Sequence, residues 1–575
     1  MKRRIALILT AMLLISSMLV AFSGCGAIFD LFSKEEESTS ELSDDTSKND
    51  TTEDTKGNKD TAEDTKAENT EDDDQDDDDK AENTADESKD EQISDNDVQS
   101  DVEDDEDDEE SEDDEEEESE GLTEYNRDPE DFDGFTLDVL TVKDGTWKMH
   151  TDFAPDMPDG TTINSAIFNR NEKVKALYNV NIVGHEDADY YHLTEKLSMD
   201  SFSGTPKYDA AYVEGSSVVS LISQGQLRNL YKVEGLQLDE VWWSQLIKEE
   251  ATLGTGKYST LNFMQSNLSL TAFDLTWCIY YNKQIHDVNQ VEDLYELVEN
   301  NEWTIEKMRV IAKSVASLGS ESNFTYNANG DSIYGITTYW NGAKAMLDGC
   351  KVQFVAVDSE GEYVANIPNE RFINLTQKLA ALFGEAGTFT FGGPSSDGST
   401  IGNAEDYLKI FNNERALFCI AEVKSSVKDF NDFKQEFGIL PLPMLDSDQE
   451  AYRSWVNYLA PVLVIPSCTD DDSAYKTGVL LDVLSFYSEK DVLPQYYDKV
   501  IKGRGTSDPQ SLKMLDIINT TKTFDASIAY GWSRQFSEVL SQAVLQGVTD
   551  VSSMAETYEP MINELIKQTM DTIFE

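Results

Sequence analysis

The chain has 575 residues, enough for two or more domains, and carries 113 acidic against 45 basic side chains, a formal net charge of −68 at pH 7. The excess is concentrated, since residues 34–120 alone hold 45 acidic and 7 basic side chains. Binding a phosphate backbone needs Lys and Arg to displace counterions, so a surface of this sign excludes nucleic-acid partners.

At the N-terminus, Met1-Lys2-Arg3-Arg4 is basic, Ile5 to Phe22 is apolar, and Ser23-Gly24-Cys25 follows. This order is that of an export signal. Ser-Gly-Cys resembles the lipobox of bacterial lipoproteins, with Phe22 where Leu is more usual. The resemblance implies a signal peptide over 1–24, a lipidated N-terminus over 25–33 and Cys25 as the lipid attachment site. Two acyl chains are what stable anchoring takes. The rest of the chain is then expected outside the membrane, at the surface of a Gram-positive-type cell. A retained transmembrane anchor and a plain cleaved signal are the alternatives.

Residues 34–131 form an acidic stretch with almost no apolar side chains. Fragments recur in it, EDTK at 53–56 and 63–66 and KAENT at 66–70 and 80–84. Such a composition cannot bury enough surface to offset chain entropy, so a disordered tether is expected. As a flexible coil its length corresponds to about 50 Å root-mean-square, more with charge repulsion. Its Asp runs attract counterions but include no Gly-turned calcium loop.

From residue 132 the pattern becomes that of a folded α/β domain. Phe135–Val142 alternates as a strand, Ile163–Tyr178 has helical spacing, and Asn179–Val183 is again β-rich. A helix over 189–201 and a strand over 208–213 follow, the latter running into Glu214-Gly215-Ser216-Ser217. Alternation at this spacing implies a parallel sheet, with ligands beyond the strands' carboxyl ends. That places candidate loops at Lys143–Met149, His185–Asp189 and Glu214–Ser217. Thr271–Lys283 reads as a strand at a junction between lobes. Thr304 is the expected N-cap of a helix to Leu318. Strands are expected at 333–336, 415–420, 437–443 and 459–465, helices at 372–383 and 407–413. A helical region from Ser473 ends with a helix over 554–574.

Tyr208-Asp209-Ala210, Gln224-Gly225-Gln226-Leu227, Tyr280-Tyr281-Asn282-Lys283, Trp303-Thr304, Tyr334-Gly335, Phe411 to Leu417 and Phe437-Gly438-Ile439-Leu440-Pro441 form an ordered series. The series resembles the extracellular solute-binding proteins of carbohydrate ABC importers, the maltose-binding-like group. That implies an α/β, two-lobed, type II periplasmic-binding-protein-like domain over 132–575. Lobe 1 would take about 132–272 and 453–525, and lobe 2 about 273–452 and 526–575. It also implies a monomer that binds a carbohydrate, docks on ABC permease subunits and uses no cofactor. A surface adhesion or scaffold protein, and a receptor for peptides or polyamines, are the alternatives.

Sugars are held by aromatic faces, carboxylates and amides. Glu214 and Ser216, after the third strand, are candidate ligand contacts, with helix capping as the alternative for Ser216. Asp274 and Trp277 lie just before Tyr280-Tyr281-Asn282-Lys283, near the implied crossing. Glu422 follows the strand at 415–420, beside Val423 where the group often carries Trp. Trp340 follows the strand at 333–336, and Trp455 and Asn457 precede a hinge-like strand. Tyr530 and Trp532 precede a helix at the position of a stacking residue in the group.

Catalytic signatures are missing from the sequence. His150, His185, His192 and His286 make no HExxH, there is no G-x-S-x-G, and no phosphate loop. Acidic pairs are everywhere in such a chain, so composition leaves a glycosidase dyad and a glycan hydrolase open, and the resemblance points to capture rather than catalysis. Cys278, Cys350, Cys419 and Cys468 show no metal spacing, and a disulfide between two of them is left open. Asn327 to Gly335 resembles a degraded calcium loop and is read as a turn, so no metal is expected.

Overall fold

The computed structural model describes residues 122, 124–143, 153–158, 160–188, 190–203, 206–324, 330–385, 387–390, 406–430, 433–502 and 509–574. The chain divides into Met1–Glu112 and Asp113–Glu575, and all described residues fall in the second unit. The expected signal peptide, Cys25 and the tether up to residue 121 lie outside them, as do 144–149, 189 and 325–329. Among the described residues no helix is long and apolar enough to cross a membrane.

In chain order the strands are β1 (Thr136–Val142), β2 (Asn181–Asp187), β3 (Ala210–Glu214), β4 (Trp277–Asn282), β5 (Tyr334–Thr337), β6 (Val355–Val357), β7 (Tyr363–Ala365), β8 (Phe389–Thr390), β9 (Ala416–Glu422), β10 (Phe437–Leu440), β11 (Ser454–Trp455), β12 (Pro461–Val464) and β13 (Lys522–Thr523). The helices that matter here are α1 (Thr162–Tyr178), α2 (Gln245–Ala251), α3 (Leu270–Asp274), α4 (Ile305–Val315), α5 (Trp340–Gly349), α6 (Glu370–Gly384), α7 (Leu493–Lys502), α8 (Pro509–Thr520), α9 (Arg534–Leu545) and α10 (Ser552–Phe574).

Two sheets form the frame. The first has the order β12-β3-β1-β2, with β1 parallel to both β2 and β3 and β12 antiparallel to β3. Leu137, Val139, Leu140 and Val142 of β1 are all buried, as befits a parallel strand covered on both faces. The second has the order β10-β4-β9-β5-β8, with β4 antiparallel to its neighbours β10 and β9. This is the two-lobed α/β architecture that the sequence resemblance implies.

Local chemistry sets several element ends. Thr161 caps α1 by accepting from the Asn164 N–H at 3.3 Å, and Asn179 ends that helix in the left-handed conformation at φ 50°. Thr304 caps α4 as the sequence suggests, accepting from the Lys307 N–H at 3.3 Å. That helix stops at Val315, short of Leu318.

Three segments cross between the sheets and lie side by side. Thr276 pairs antiparallel with Val456, Asn457 N–H donates to the Leu275 carbonyl at 3.0 Å, and β11 runs parallel to β13. The C-terminal α9 packs on α5 and α6, on the side of the second sheet. Helices α7 and α8 touch both sides. Leu515 and Ile518 of α8 share one apolar cluster with Ile163 and Ile167 of α1 and with Phe437 and Ile439 of β10.

The stretch Thr271–Lys283, expected as one strand, is two elements. Residues 270–274 form the short helix α3, and the strand starts only at Trp277. Every residue from Leu270 to Asn282 is buried, and a short unbroken apolar run has no periodicity to separate helix from strand. Helix α5 and the β6–β7 hairpin had no counterpart in the sequence expectations.

Candidate ligand cleft

Strands β3, β5 and β9 end at Glu214, Thr337 and Glu422. Both sheets deliver their strand ends to the crossing segments. The Ser216 N–H donates to the Tyr458 carbonyl at 2.9 Å, and the Val423 N–H donates to the Thr276 carbonyl at 2.8 Å. Gly215 permits the first approach, because a Cβ there would meet the Phe524 ring at 2.3 Å and the Tyr458 carbonyl at 3.1 Å. The carboxyl ends of strands from both sheets thus meet at the crossing segments, and ligands of α/β sheets bind at such strand ends.

Aromatic rings line this junction. Trp277 and Trp455 are buried, with ring centroids 6.0 Å apart. Tyr339 lies 5.6 Å from Trp277, stacks on Tyr407 at 5.0 Å and meets the edge of Trp340 at 5.1 Å. Tyr458 is 6.2 Å from Trp455. Tyr339, Trp340 and Tyr458 are only half-buried. The Trp277 Nε1–H is buried and has no acceptor among the described residues. An unmet buried donor costs about 1–3 kcal/mol.

Charged side chains surround the rings in pairs. Glu422 accepts from Lys424 at 2.6 Å and from the Asn457 amide at 3.2 Å. Lys344 of α5, its side chain 2% exposed, pairs with Glu538 of α9 and sits 4.7 Å from the Tyr458 ring centroid. Burial pushes the Lys344 ammonium down from its ordinary range, and Glu538 opposes that. The Tyr458 hydroxyl donates to Glu538 at 3.1 Å, and burial pushes its phenol up, with Glu538 adding to the shift. Glu214 accepts from the hydroxyls of Ser216 and, at 3.2 Å, Ser217. The Ser216 hydroxyl therefore serves Glu214.

The structure brings Glu214, Ser216, Trp277, Trp340, Glu422, Trp455 and Asn457 to this junction. It places the other three candidates elsewhere. Asp274 is buried and accepts from the Tyr496 hydroxyl of α7 at 2.5 Å. Tyr530 and Trp532 are each 2% exposed and stack on one another at 5.1 Å. Tyr530 donates to the Ala251 carbonyl of α2 at 2.7 Å and Trp532 to Thr569 of α10 at 2.8 Å, so each is tied to a helix. Sequence reasoning passed over Tyr339, Lys344, Lys424, Tyr458, Arg534 and Glu538. Tyr339 and Tyr458 adjoin Trp340 and Asn457, and weighing Tyr as well as Trp would have found them. Lys344 lies one helical turn after Trp340, on a helix hidden by Asn341, Gly342 and Gly349.

A separate groove of about 510 Å³ runs between α1 and α7, from Gly160 to Lys173 and to Gln495, and contains no aromatic ring. Cys278, Cys350, Cys419 and Cys468 are free thiols.

Fold and strand-end crevice together define a two-lobed α/β protein of the type II periplasmic-binding kind. No family model and no curated sequence matches this chain. Among solved structures it is similar to the cyclic α-maltosyl-1,6-maltose binding protein of Arthrobacter globiformis, 12% identical, covering 76% of this chain and 99% of that one, TM-score 0.48. It is also similar to an ABC substrate-binding protein of Listeria monocytogenes in complex with cycloalternan, 12% identical over 76% and 100% of the two chains, TM-score 0.45. A third is the maltose/maltodextrin-binding domain of Bdellovibrio bacteriovorus bound to maltotriose, 13% identical over 76% and 100%, TM-score 0.40.

Proposed function

We propose that this chain is an extracellular solute-binding protein that captures a carbohydrate, an oligosaccharide, between its two sheets and delivers it to the permease subunits of an ABC importer. The observation that carries this reading is the gathering of Trp277, Tyr339, Trp340, Trp455 and Tyr458 with Glu214 and Glu422 at the strand ends of both sheets. The half-buried rings of Tyr339, Trp340 and Tyr458 suit the C–H surfaces of a sugar ring, and the carboxylates and the Asn457 amide suit its hydroxyls. A micromolar Kd requires about −8 kcal/mol, within reach of a few stacked rings and hydrogen bonds. The paired crossing segments offer a hinge about which the lobes close. The protein works as a non-catalytic monomer. The lipobox-like Ser23-Gly24-Cys25 supports lipid anchoring at Cys25, and the acidic tether would hold the receptor away from the membrane on the outer side.

The test is a thermal-shift and Trp-fluorescence titration of the full chain against an oligosaccharide panel, with peptides and polyamines as controls. A saccharide is expected to raise Tm and alter emission. Shifts with peptides or polyamines alone would overturn the carbohydrate reading.

A further inference from the structure

The chain holds 113 acidic and 45 basic side chains. At the cleft, each carboxylate already has donors. Glu422 is held by Lys424 and Asn457, Glu538 by Lys344 and Tyr458, and Glu214 by the two serine hydroxyls. Arg534, in the first turn of α9, has neither a hydrogen bond nor an ion pair among the described residues. Its guanidinium carbon lies 5.3 Å from the Tyr458 ring centroid, and the side chain is half-buried. It is also close enough to Lys344 to disfavour the charge there. Two cations therefore lie close to the Tyr458 ring, and among the described residues Glu538 is paired with Lys344 alone.

A guanidinium stacked on a ring keeps its N–H donors around its edge, arranged as a fork that matches a carboxylate or a sulfate oxygen pair. Its position at the start of a helix adds to the attraction for an anion. We infer that the cleft takes a saccharide bearing an anionic group, a ring carboxylate or a sulfate ester, with Arg534 as the partner of that group; this rests on the saccharide capture proposed above. Tyr458 orients the guanidinium. The neutral portion of the ligand lies against Tyr339 and Trp340.

The inference is tested by calorimetric titration of the full chain with trigalacturonate, a sulfated disaccharide and neutral maltotriose. The Arg534→Gln and Arg534→Lys variants are titrated alongside, with their Tm confirming folding. At least one anionic probe should bind, more weakly as salt rises. Arg534→Gln should weaken that binding roughly 10- to 100-fold, with Arg534→Lys recovering part of it. Trigalacturonate binding alone assigns a carboxylate, and binding of the sulfated probe alone assigns a sulfate ester. Binding of maltotriose with neither anionic probe, or an anionic affinity untouched by Arg534→Gln in a folded variant, overturns the inference and leaves saccharide capture standing. If none of the three binds and the wider saccharide panel is also silent, capture itself fails and the inference falls with it.

Discussion

Trp277 and Trp455 face each other across the hinge, ring centroids 6.0 Å apart and planes tilted by 40°. Each belongs to a different crossing segment, one leading into the second sheet and the other leading out. Both rings sit at the crossing itself, unlike Trp303, which is buried in the second lobe and donates to the Pro441 carbonyl at 3.0 Å. Ligand-induced change in emission should fall by more than half in Trp277→Phe or Trp455→Phe and persist in Trp303→Phe. A titration in which Trp303→Phe removes the signal would show that the hinge pair does not report closure. Trp455→Ala should also cost about 3–5 kcal/mol, as large-to-small changes in a packed site do.

Lys344 and Glu538 form a pair of unequal burial, their side chains 2% and 35% exposed. Removing the carboxylate strands a buried ammonium, whereas removing the ammonium leaves a carboxylate that water reaches. Glu538→Gln should therefore destabilise by about 3–5 kcal/mol and Lys344→Met by less. Urea unfolding of the two variants checks the order, and equal losses would mean that Lys344 is better solvated than the structure shows.

How much of this could be read from the sequence depended on periodicity. β1, α1 and the cap at Thr304 carry patterns that local physics fixes, and they stand where expected. The run from Leu270 to Asn282 is buried throughout, so its division into helix and strand is set by tertiary packing. Among the site residues, Glu214 and Glu422 follow from strand ends, a rule of topology. Tyr530 and Trp532 were assigned by correspondence to a family position, yet Tyr530 is tied to α2 and Trp532 to α10. Arg534 and Lys344 were invisible because their meaning lies in Tyr458, more than 70 positions away in the chain for either residue.

Lys522 of β13 donates to the Asn267 side chain at 2.7 Å, and Asn267 in turn donates to Glu489 at 2.6 Å. Burial lowers the Lys522 ammonium to about 8 from 10.5, with Glu489 opposing the shift, and burial raises Glu489. Between about pH 8 and 10.5 the unfolded chain binds this proton and the folded chain has released it, so stability rises with pH across that window. The cost of charging Lys522 is complete below about pH 8 and gone above 10.5. Relative to Lys522→Met, the wild-type chain should gain about 2–3 kcal/mol over that interval. Urea unfolding at pH 7, 8.5 and 10 measures it, and a difference that stays constant with pH would place the Lys522 proton elsewhere.

Asp274 and Glu422 offer the sharpest contrast between framework and site. Asp274 ties α3 to α7 through the Tyr496 hydroxyl, and both groups are buried. Glu422 closes the end of β9, where Lys424 and Asn457 hold it at the crevice. Asp274→Asn keeps the shape of the side chain and weakens a hydrogen bond to a charged group, so it should cost about 1–3 kcal/mol of stability and leave ligand affinity within about twofold. Glu422→Gln keeps the shape too but leaves Lys424 without its partner and removes an acceptor from the proposed sugar site. With the Glu422 and Lys424 side chains each only 12% exposed, the change should cost stability as well, while affinity for the bound saccharide falls roughly tenfold or more. Paired denaturation and titration of the two variants separate the roles. Loss of binding in Asp274→Asn without loss of stability would return Asp274 to the ligand site, and unchanged affinity in Glu422→Gln would remove Glu422 from it.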